Sequence, residues 1–185
     1  MPVHTIALLV AVGLLCLVSV RVVSIMYKYQ GARVITCPEN REHAGVELDI
    51  RRALSTGVVS PPRLVLASCS RWPERAGCGQ ECLSQIAAGP EGCLVRNILA
   101  NWYAEKKCVF CGQPFGHTQM SVRKPALLVE GQITTDCDHV PAERLLEVLA
   151  AAKPVCFACH TANTWVREHP DLIVDRSHKT ESRNR

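Results

Sequence analysis

The stretch "CVFCGQPFG", residues 108–116, decides how the cysteine-rich part of this chain folds. Two cysteines that are separated by two residues allow a tight turn to direct both sulfurs to one point, about 2.3 Å from a Zn²⁺ ion. Gly112, which follows the second cysteine, allows the backbone conformation that such a turn needs. The stretch therefore predicts one half of a tetrahedral metal site.

A second Cys-x-x-Cys pair occurs in "PVCFACH", residues 154–160. Two such pairs supply the four thiolates of a closed tetrahedral site. Cys-x-x-Cys-His is also the attachment signal of a c-type haem, which would use His160 as an axial ligand. The second pair taken alone therefore fits two kinds of protein, whereas both pairs together favour metal ligation by Cys108, Cys111, Cys156 and Cys159.

A further group of cysteines precedes these pairs. The chain has 11 cysteines in 185 residues, and such a density in small domains is typical of disulfides or metal sites. Cys16 lies in an apolar segment, where a cysteine is most simply a small apolar side chain. The other cysteines of this group follow predicted strands or open a predicted helix, and they are interpreted as a second four-cysteine site: Cys37, Cys69, Cys78 and Cys82.

Cys93 has three interpretations that the sequence leaves open. It either replaces one ligand of the second site, or packs as an apolar residue, or is a reactive thiol whose pKa is lowered by a helix dipole. Zinc is the predicted metal, with two ions per chain. An iron–sulfur cluster uses the same ligands and stays an alternative. The nearby histidines are expected as surface or hydrogen-bonding residues rather than as ligands: His43, His117, His139 and His160.

The N-terminal residues 3–26 have only His4 and Arg21 as ionisable side chains. A helix of this length rises about 36 Å, which exceeds the roughly 30 Å of a membrane's hydrocarbon core. The segment predicts a single transmembrane anchor over residues 1–27. A cleaved signal peptide is the alternative, but no lysine or arginine precedes the apolar run and no suitable cleavage site follows it.

The positive charges near this segment predict its orientation. Arg21, Lys28, Arg33 and Arg41 all lie at its C-terminal end, and lysine and arginine are enriched on the cytoplasmic side of membranes. The cysteine-rich body is therefore expected in the cytoplasm. Thiols stay reduced there, so dense cysteines indicate metal sites rather than disulfides. A c-type haem is attached on the opposite side, so a cytoplasmic body disfavours it.

Short strands and helices after the anchor predict an α+β fold that is stapled by metal and is zinc-ribbon-like in its C-terminal part. Alternation of Val46, Leu48 and Ile50 with charged residues is typical of a half-buried strand. The predicted elements are strands at 33–37, 44–50 and 63–69, a hairpin around residues 130–131, and a last helix at 160–169. The predicted divisions are an anchor at 1–27, a cysteine-rich α+β subdomain at 28–106, a zinc-ribbon-like subdomain at 107–174 and a disordered tail at 175–185.

Two resemblances follow from these motifs. "CVFCG" resembles the knuckles of zinc ribbons and rubredoxin-like proteins, whereas "CFACH" has His160 where those knuckles usually have glycine. The order of the apolar helix, "TCPEN", "CSRWPERAGCGQEC", "CVFCGQPFG" and "PVCFACH" resembles a group of uncharacterised bacterial membrane-anchored proteins. This second resemblance implies a bacterial origin and brings no known activity.

The residue patterns favour a metal-binding module over an enzyme. The net charge is only +4 and no basic patch with interleaved aromatics is present, so nucleic acid is not an expected partner. No phosphate loop, catalytic triad or paired-carboxylate motif indicates a small-molecule substrate. We expect a structural or partner-docking role in a membrane complex. The alternatives are electron transfer, through a haem at Cys156, Cys159 and His160 or an iron–sulfur cluster, and thiol chemistry.

Overall fold

The computed structural model describes residues 3–75, 77–116, 125–136 and 140–172. The chain divides into two compact units, Met1–Asn101 with Pro141–Leu146 and Trp102–Val140 with Glu147–Arg185. We call these the N-terminal unit and the C-terminal unit. The predicted subdomain boundaries stay predictions. The tail at 175–185 and the side chains of His117, His139 and Cys137 lie outside the described residues.

Helices and strands are mixed, as the α+β prediction requires. The helices are α1 (Val3–Tyr29), α2 (Ile50–Gly57), α3 (Leu83–Ala88), α4 (Val95–Ala104), α5 (Leu145–Ala151) and α6 (Phe157–Glu168), with short 3₁₀ turns at Ala142–Arg144 and Pro170–Leu172. The strands are β1 (Arg33–Thr36), β2 (His43–Leu48), β3 (Leu66–Cys69), β4 (Ala126–Val129), β5 (Gln132–Asp136) and β6 (Lys153–Val155).

Helix α1 has two parts with different surroundings. The side chains of residues 3–21 are exposed, and the helix is long and apolar enough to cross a membrane, with a mean hydropathy of 2.7. Signal sequences share these properties. Ile25 and Tyr29, in the last turns, are instead buried in the core of the N-terminal unit. The apolar helix predicted from the sequence is therefore present, and its C-terminal end belongs to the folded body.

A buried arginine fixes this end of α1. The guanidinium of Arg33 is fully buried and donates hydrogen bonds to the carbonyl oxygens of Lys28, at 2.6 Å, and Tyr29, at 2.8 Å. Arg96 donates to the carbonyl oxygens of Tyr27 and Gln30. These carbonyls have no partner within the helix, so the two arginines satisfy groups that a helix C-terminus leaves unpaired.

The sheet of the N-terminal unit has the order β1-β2-β3, with both pairs antiparallel. Strand β2 buries Ala44, Val46 and Leu48 on one face, which confirms the alternation expected there. It ends before the predicted residue 50 because α2 begins there, and the carboxylate of Asp49, the residue before the helix, accepts a hydrogen bond from the Arg52 backbone N–H at 3.1 Å. The predicted strand is thus shortened by a helix cap.

The C-terminal unit has a second sheet of order β5-β4-β6. Glu130 and Gly131 connect β4 to β5 with positive φ values of 54° and 72°, which confirms the predicted hairpin and is typical of a type I′ turn. Strand β6 is an addition that the sequence did not predict. Tyr103 anchors the core beside β4, where its hydroxyl donates to the Ala126 carbonyl oxygen at 2.8 Å.

Candidate metal centre

Four cysteine sulfurs of the C-terminal unit lie within 4.8 Å of one another, and among the described residues this is the one group close enough to share an ion. It consists of Cys108, Cys111, Cys156 and Cys159. The sulfurs of Cys111 and Cys156 are 3.7 Å apart. Four sulfurs at about 2.3 Å from a tetrahedral metal lie about 3.8 Å from each other, whereas a disulfide bond is about 2.05 Å long. The spacing therefore suits a metal ion rather than a disulfide.

The first pair lies in a tight turn between α4 and β4. The Cys108 backbone N–H donates to the Gln113 carbonyl oxygen at 2.9 Å, and the Gly112 N–H donates back to the Cys108 carbonyl oxygen at 2.8 Å. Gly112 has a φ of 70°, a left-handed conformation that costs least for glycine. We call this the Cys108 turn. The tight turn predicted from the sequence is therefore present.

The second pair differs from a knuckle. Helix α6 begins at Phe157, earlier than the predicted start at 160, so the sequence interpretation of "CFACH" as a second knuckle is wrong. Cys156 precedes the helix, and its sulfur accepts from the Cys159 backbone N–H at 3.5 Å. A helical turn needs no residue with positive φ after the second cysteine, which explains how His160 can stand where a knuckle has glycine.

Backbone N–H groups surround the sulfur of Cys108. The Cys156 backbone N–H lies 3.3 Å from it. Burial favours the neutral thiol, but hydrogen bonds from the backbone N–H groups of Cys156, Cys111 and Phe110 together lower the pKa of Cys108 to about 6. Such bonds stabilise a thiolate, which is the form that ligates metals.

The pKa values of the second pair, Cys156 and Cys159, shift upward, in contrast to that of Cys108. Burial raises the pKa of Cys156 and of Cys159, and for Cys159 the neighbouring thiols add to the rise. The positively polarised start of α6 lies next to both sulfurs and favours negative charge there. A metal that binds at these sulfurs would displace the protons of Cys156 and Cys159, so binding would be coupled to pH.

The cluster lies at the surface of its unit. Cys108 is 2% exposed, Cys156 and Cys159 are half-buried, and Cys111 is exposed. Apolar side chains beside the cysteines are exposed as well: Val109, Phe110 and Phe157. The arrangement thus combines a closed set of four sulfur ligands with an apolar surface around it.

The predicted second group lies in the N-terminal unit and is arranged differently. Cys37, Cys69, Cys78 and Cys82 all line one cavity of about 120 Å³, so the structure brings them together. Within the described part of the chain they do not form a group close enough to share an ion. The second metal site therefore stays a prediction.

Sequence reasoning missed the role of Arg71 at this cavity. Its guanidinium donates to the Cys37 sulfur at 2.9 Å and lies 3.8 Å from the Glu39 carboxylate. The contact with Cys37 depends on a pairing across 34 residues, which no local motif encodes.

Cys93 does not line this cavity. It packs against the core of the N-terminal unit, and burial raises its pKa. Burial favours the neutral thiol of Cys93, whereas the nearby Arg33 guanidinium acts in the opposite direction. Its apolar packing is the alternative that the structure favours.

No family model, curated protein or solved structure matches this chain. The resemblance to bacterial membrane-anchored proteins and the zinc-ribbon-like identity therefore stay predictions. The features that bear on function are the four-cysteine cluster, α1 and the surfaces around them.

Proposed function

We propose that this chain is a membrane-anchored zinc protein in which Cys108, Cys111, Cys156 and Cys159 hold one structural ion. The observation that carries the proposal is the mutual distance of the four sulfurs, all within 4.8 Å. Four cysteine ligands complete a tetrahedral shell and leave no open position for a substrate or water. Such a site is typical of a structural metal rather than a catalytic one.

The metal would stabilise the C-terminal unit by linking two segments that are distant in sequence. One ligand pair comes from the Cys108 turn and the other from the start of α6. The unit's sheet has three short strands, and small cores often need a metal or a disulfide for stability. Binding free energy at such a site contributes directly to folding.

Helix α1 supports the membrane anchor. Its residues 3–21 are exposed, and none of the residues that the structure describes buries the 18-residue apolar window within it. An uncovered apolar surface of this size is unfavourable in water and favourable in lipid. The lysine and arginine residues after this segment support a cytoplasmic body. The exposed apolar side chains of Val109, Phe110 and Phe157 support docking of a membrane protein partner beside the metal.

Metal analysis of the full chain in detergent tests the zinc site. We expect zinc and no iron, with the zinc of this site lost in Cys156→Ser and retained in Cys16→Ser, since Cys16 is not one of the four cysteines of the cluster. Iron at about one or more per chain would contradict the zinc assignment. Equal metal content in Cys156→Ser and the parent would contradict the site itself.

Electron transfer is the second candidate, with iron held by the same four sulfurs. The N–H groups directed at Cys108 and the surface position support it, because hydrogen bonds to sulfur and solvent exposure tune the potential of such centres. Haem attachment is less favoured, since it would require Cys156 and Cys159 to leave the cluster. An iron or haem centre absorbs visible light, whereas a zinc centre is colourless.

Orientation is tested separately from metal content. Membrane vesicles of known sidedness are treated with a membrane-impermeant thiol reagent, and labelling at Cys111 is measured after the metal has been removed. We expect labelling only from the cytoplasmic face. Labelling from the opposite face would place the body outside and would favour the haem alternative.

A further inference from the structure

The turn that begins at Cys37 has the same hydrogen-bond pattern as the Cys108 turn. The Cys37 backbone N–H donates to the Glu42 carbonyl oxygen at 2.8 Å, and the Arg41 N–H donates back to the Cys37 carbonyl oxygen at 2.8 Å. Arg41 has a φ of 61°, at the position where Gly112 has 70°. A left-handed conformation is unfavourable for arginine, so the turn imposes it. We call this the Cys37 turn.

The sulfurs at the start of both turns have equivalent donors. The backbone N–H groups of Glu39 and Asn40 form hydrogen bonds to the Cys37 sulfur, as the corresponding groups do at Cys108. Such bonds stabilise a ligating thiolate from outside the metal's own ligand shell. The Cys37 turn differs in one respect, because Asn40 stands where the Cys108 turn has Cys111. It can therefore supply one sulfur ligand instead of two.

Three further thiols line the cavity next to Cys37. Cys69 ends β3, where its backbone pairs with Val46 of β2. Cys82 precedes α3 and is only 7% exposed. With Cys37 these residues make four sulfurs around one cavity, which is the number that closes a tetrahedral shell.

One cation at the rim of the cavity lies against a cysteine sulfur. Four thiolates with one divalent cation carry a net charge of about −2. Arg71 donates to the Cys37 sulfur and, with Arg75, lines the cavity. Both guanidinium groups are held by Glu39. Glu39 and Glu81 line the same cavity, and Arg71 is the cation that contacts a sulfur.

We infer that Cys37, Cys69, Cys78 and Cys82 bind a second zinc ion, with the Cys37 turn acting as a knuckle that contributes a single ligand. Ion binding requires the sulfurs to draw closer than they are in this structure. Cys78 lies in an irregular segment, outside the helices and strands of the unit. The inference does not depend on the cluster in the C-terminal unit.

Thiol protection tests the inference without any substitution. The full chain in detergent, supplied with zinc, is treated with N-ethylmaleimide, and modification of each cysteine is measured by mass spectrometry before and after chelation. Chelation should increase the modification of the half-buried Cys37, Cys69 and Cys78 by about tenfold or more, and Cys93 should be unaffected. Unchanged modification of these three, or a disulfide among them, would overturn the inference.

Metal counting separates the two sites. The parent should hold about two zinc ions per chain, Cys37→Ser and Cys111→Ser should each hold about one, and the double variant none. Cys93→Ser is the matched control, because Cys93 lies in the same unit but outside the cavity, and it should keep both ions. Loss only in Cys111→Ser would overturn the second site and leave the proposed function intact. Loss of zinc only in Cys37→Ser would support the second site and contradict the proposed site in the C-terminal unit. If Cys37→Ser does not fold, thiol protection of the parent decides the question.

Discussion

The Cys37 turn and the Cys108 turn share one backbone design and use it differently. Each has the same two backbone hydrogen bonds and a left-handed residue at the same position. In the Cys108 turn the fourth residue is Cys111, and its sulfur lies 3.7 Å from that of Cys156. In the Cys37 turn the fourth residue is Asn40, which bonds to Glu42 instead.

Under the two proposed metal sites, this difference makes the turn and the number of sulfur ligands separable. Backbone geometry positions the first sulfur and its N–H donors in both places. The side chain of the fourth residue then decides how many ligands the turn supplies. A turn with two cysteines needs one further pair of ligands. A turn with one cysteine needs three ligands from other elements. At the Cys108 turn the four sulfurs form a compact cluster. At the Cys37 turn four thiols line a cavity, but their sulfurs are not close enough to share an ion.

The largest effect is expected when the Cys108 turn is given the fourth residue of the Cys37 turn. We expect Cys111→Asn to lose the metal of the C-terminal unit and to unfold that unit. Structural zinc contributes roughly 10–16 kcal/mol in small zinc domains, which is comparable to the whole stability of a domain, about 5–15 kcal/mol. Limited proteolysis with identification of the fragments measures the loss.

Val109→Ala is the matched control for this prediction. Val109 lies in the same turn, is exposed and offers no ligand, so metal content and protease resistance should stay at parental levels. A Cys111→Asn variant as protease-resistant as the parent would show that the four sulfurs do not hold a structural metal.

Giving the Cys37 turn the cysteine of the Cys108 turn should have a smaller effect on stability. Cys78→Ser is expected to lose the second zinc ion, and Asn40→Cys in that background should restore it, because the Cys37 turn would then supply two ligands as the Cys108 turn does. Metal content per chain is the measurement. Asn40→Ser in the same background is the control, since a hydroxyl at this position is a poor zinc ligand. If Asn40→Ser also restores the zinc ion, or if neither variant restores it, the two turns do not share a knuckle design.

The sequence predicts those features whose information is local. The apolar helix, the strand that buries Val46 and Leu48, and the hairpin at Glu130 follow from periodicity and turn chemistry within a few residues. The grouping of the two Cys-x-x-Cys pairs follows from ligand number and spacing, since four thiolates close one tetrahedral shell.

The remaining features depend on contacts between distant residues. Strand β6 has three residues and includes Pro154, so its pairing with β4 has no periodic pattern to indicate it. The bond from Arg71 to Cys37 exists only after β3 has paired into the sheet. The sequence pattern does not indicate the Cys37 turn, because a turn with one cysteine lacks the Cys-x-x-Cys spacing by which knuckles are recognised.

The smallest effect concerns the left-handed residue of each turn. Gly112→Ala should destabilise the C-terminal unit by about 1–2 kcal/mol, because a Cβ disfavours positive φ and would meet no atom within 4 Å that could add a clash.

Arg41→Gly relieves the same cost in the N-terminal unit, but glycine adds entropy to the unfolded chain, about 0.5–1 kcal/mol. The net change should be stabilising by about 1 kcal/mol or less. Pulse proteolysis in urea, with fragments assigned to each unit, measures both changes, and Arg41→Ala separates the loss of the arginine side chain from the relief of strain. A stabilising Gly112→Ala would contradict a turn that requires this conformation.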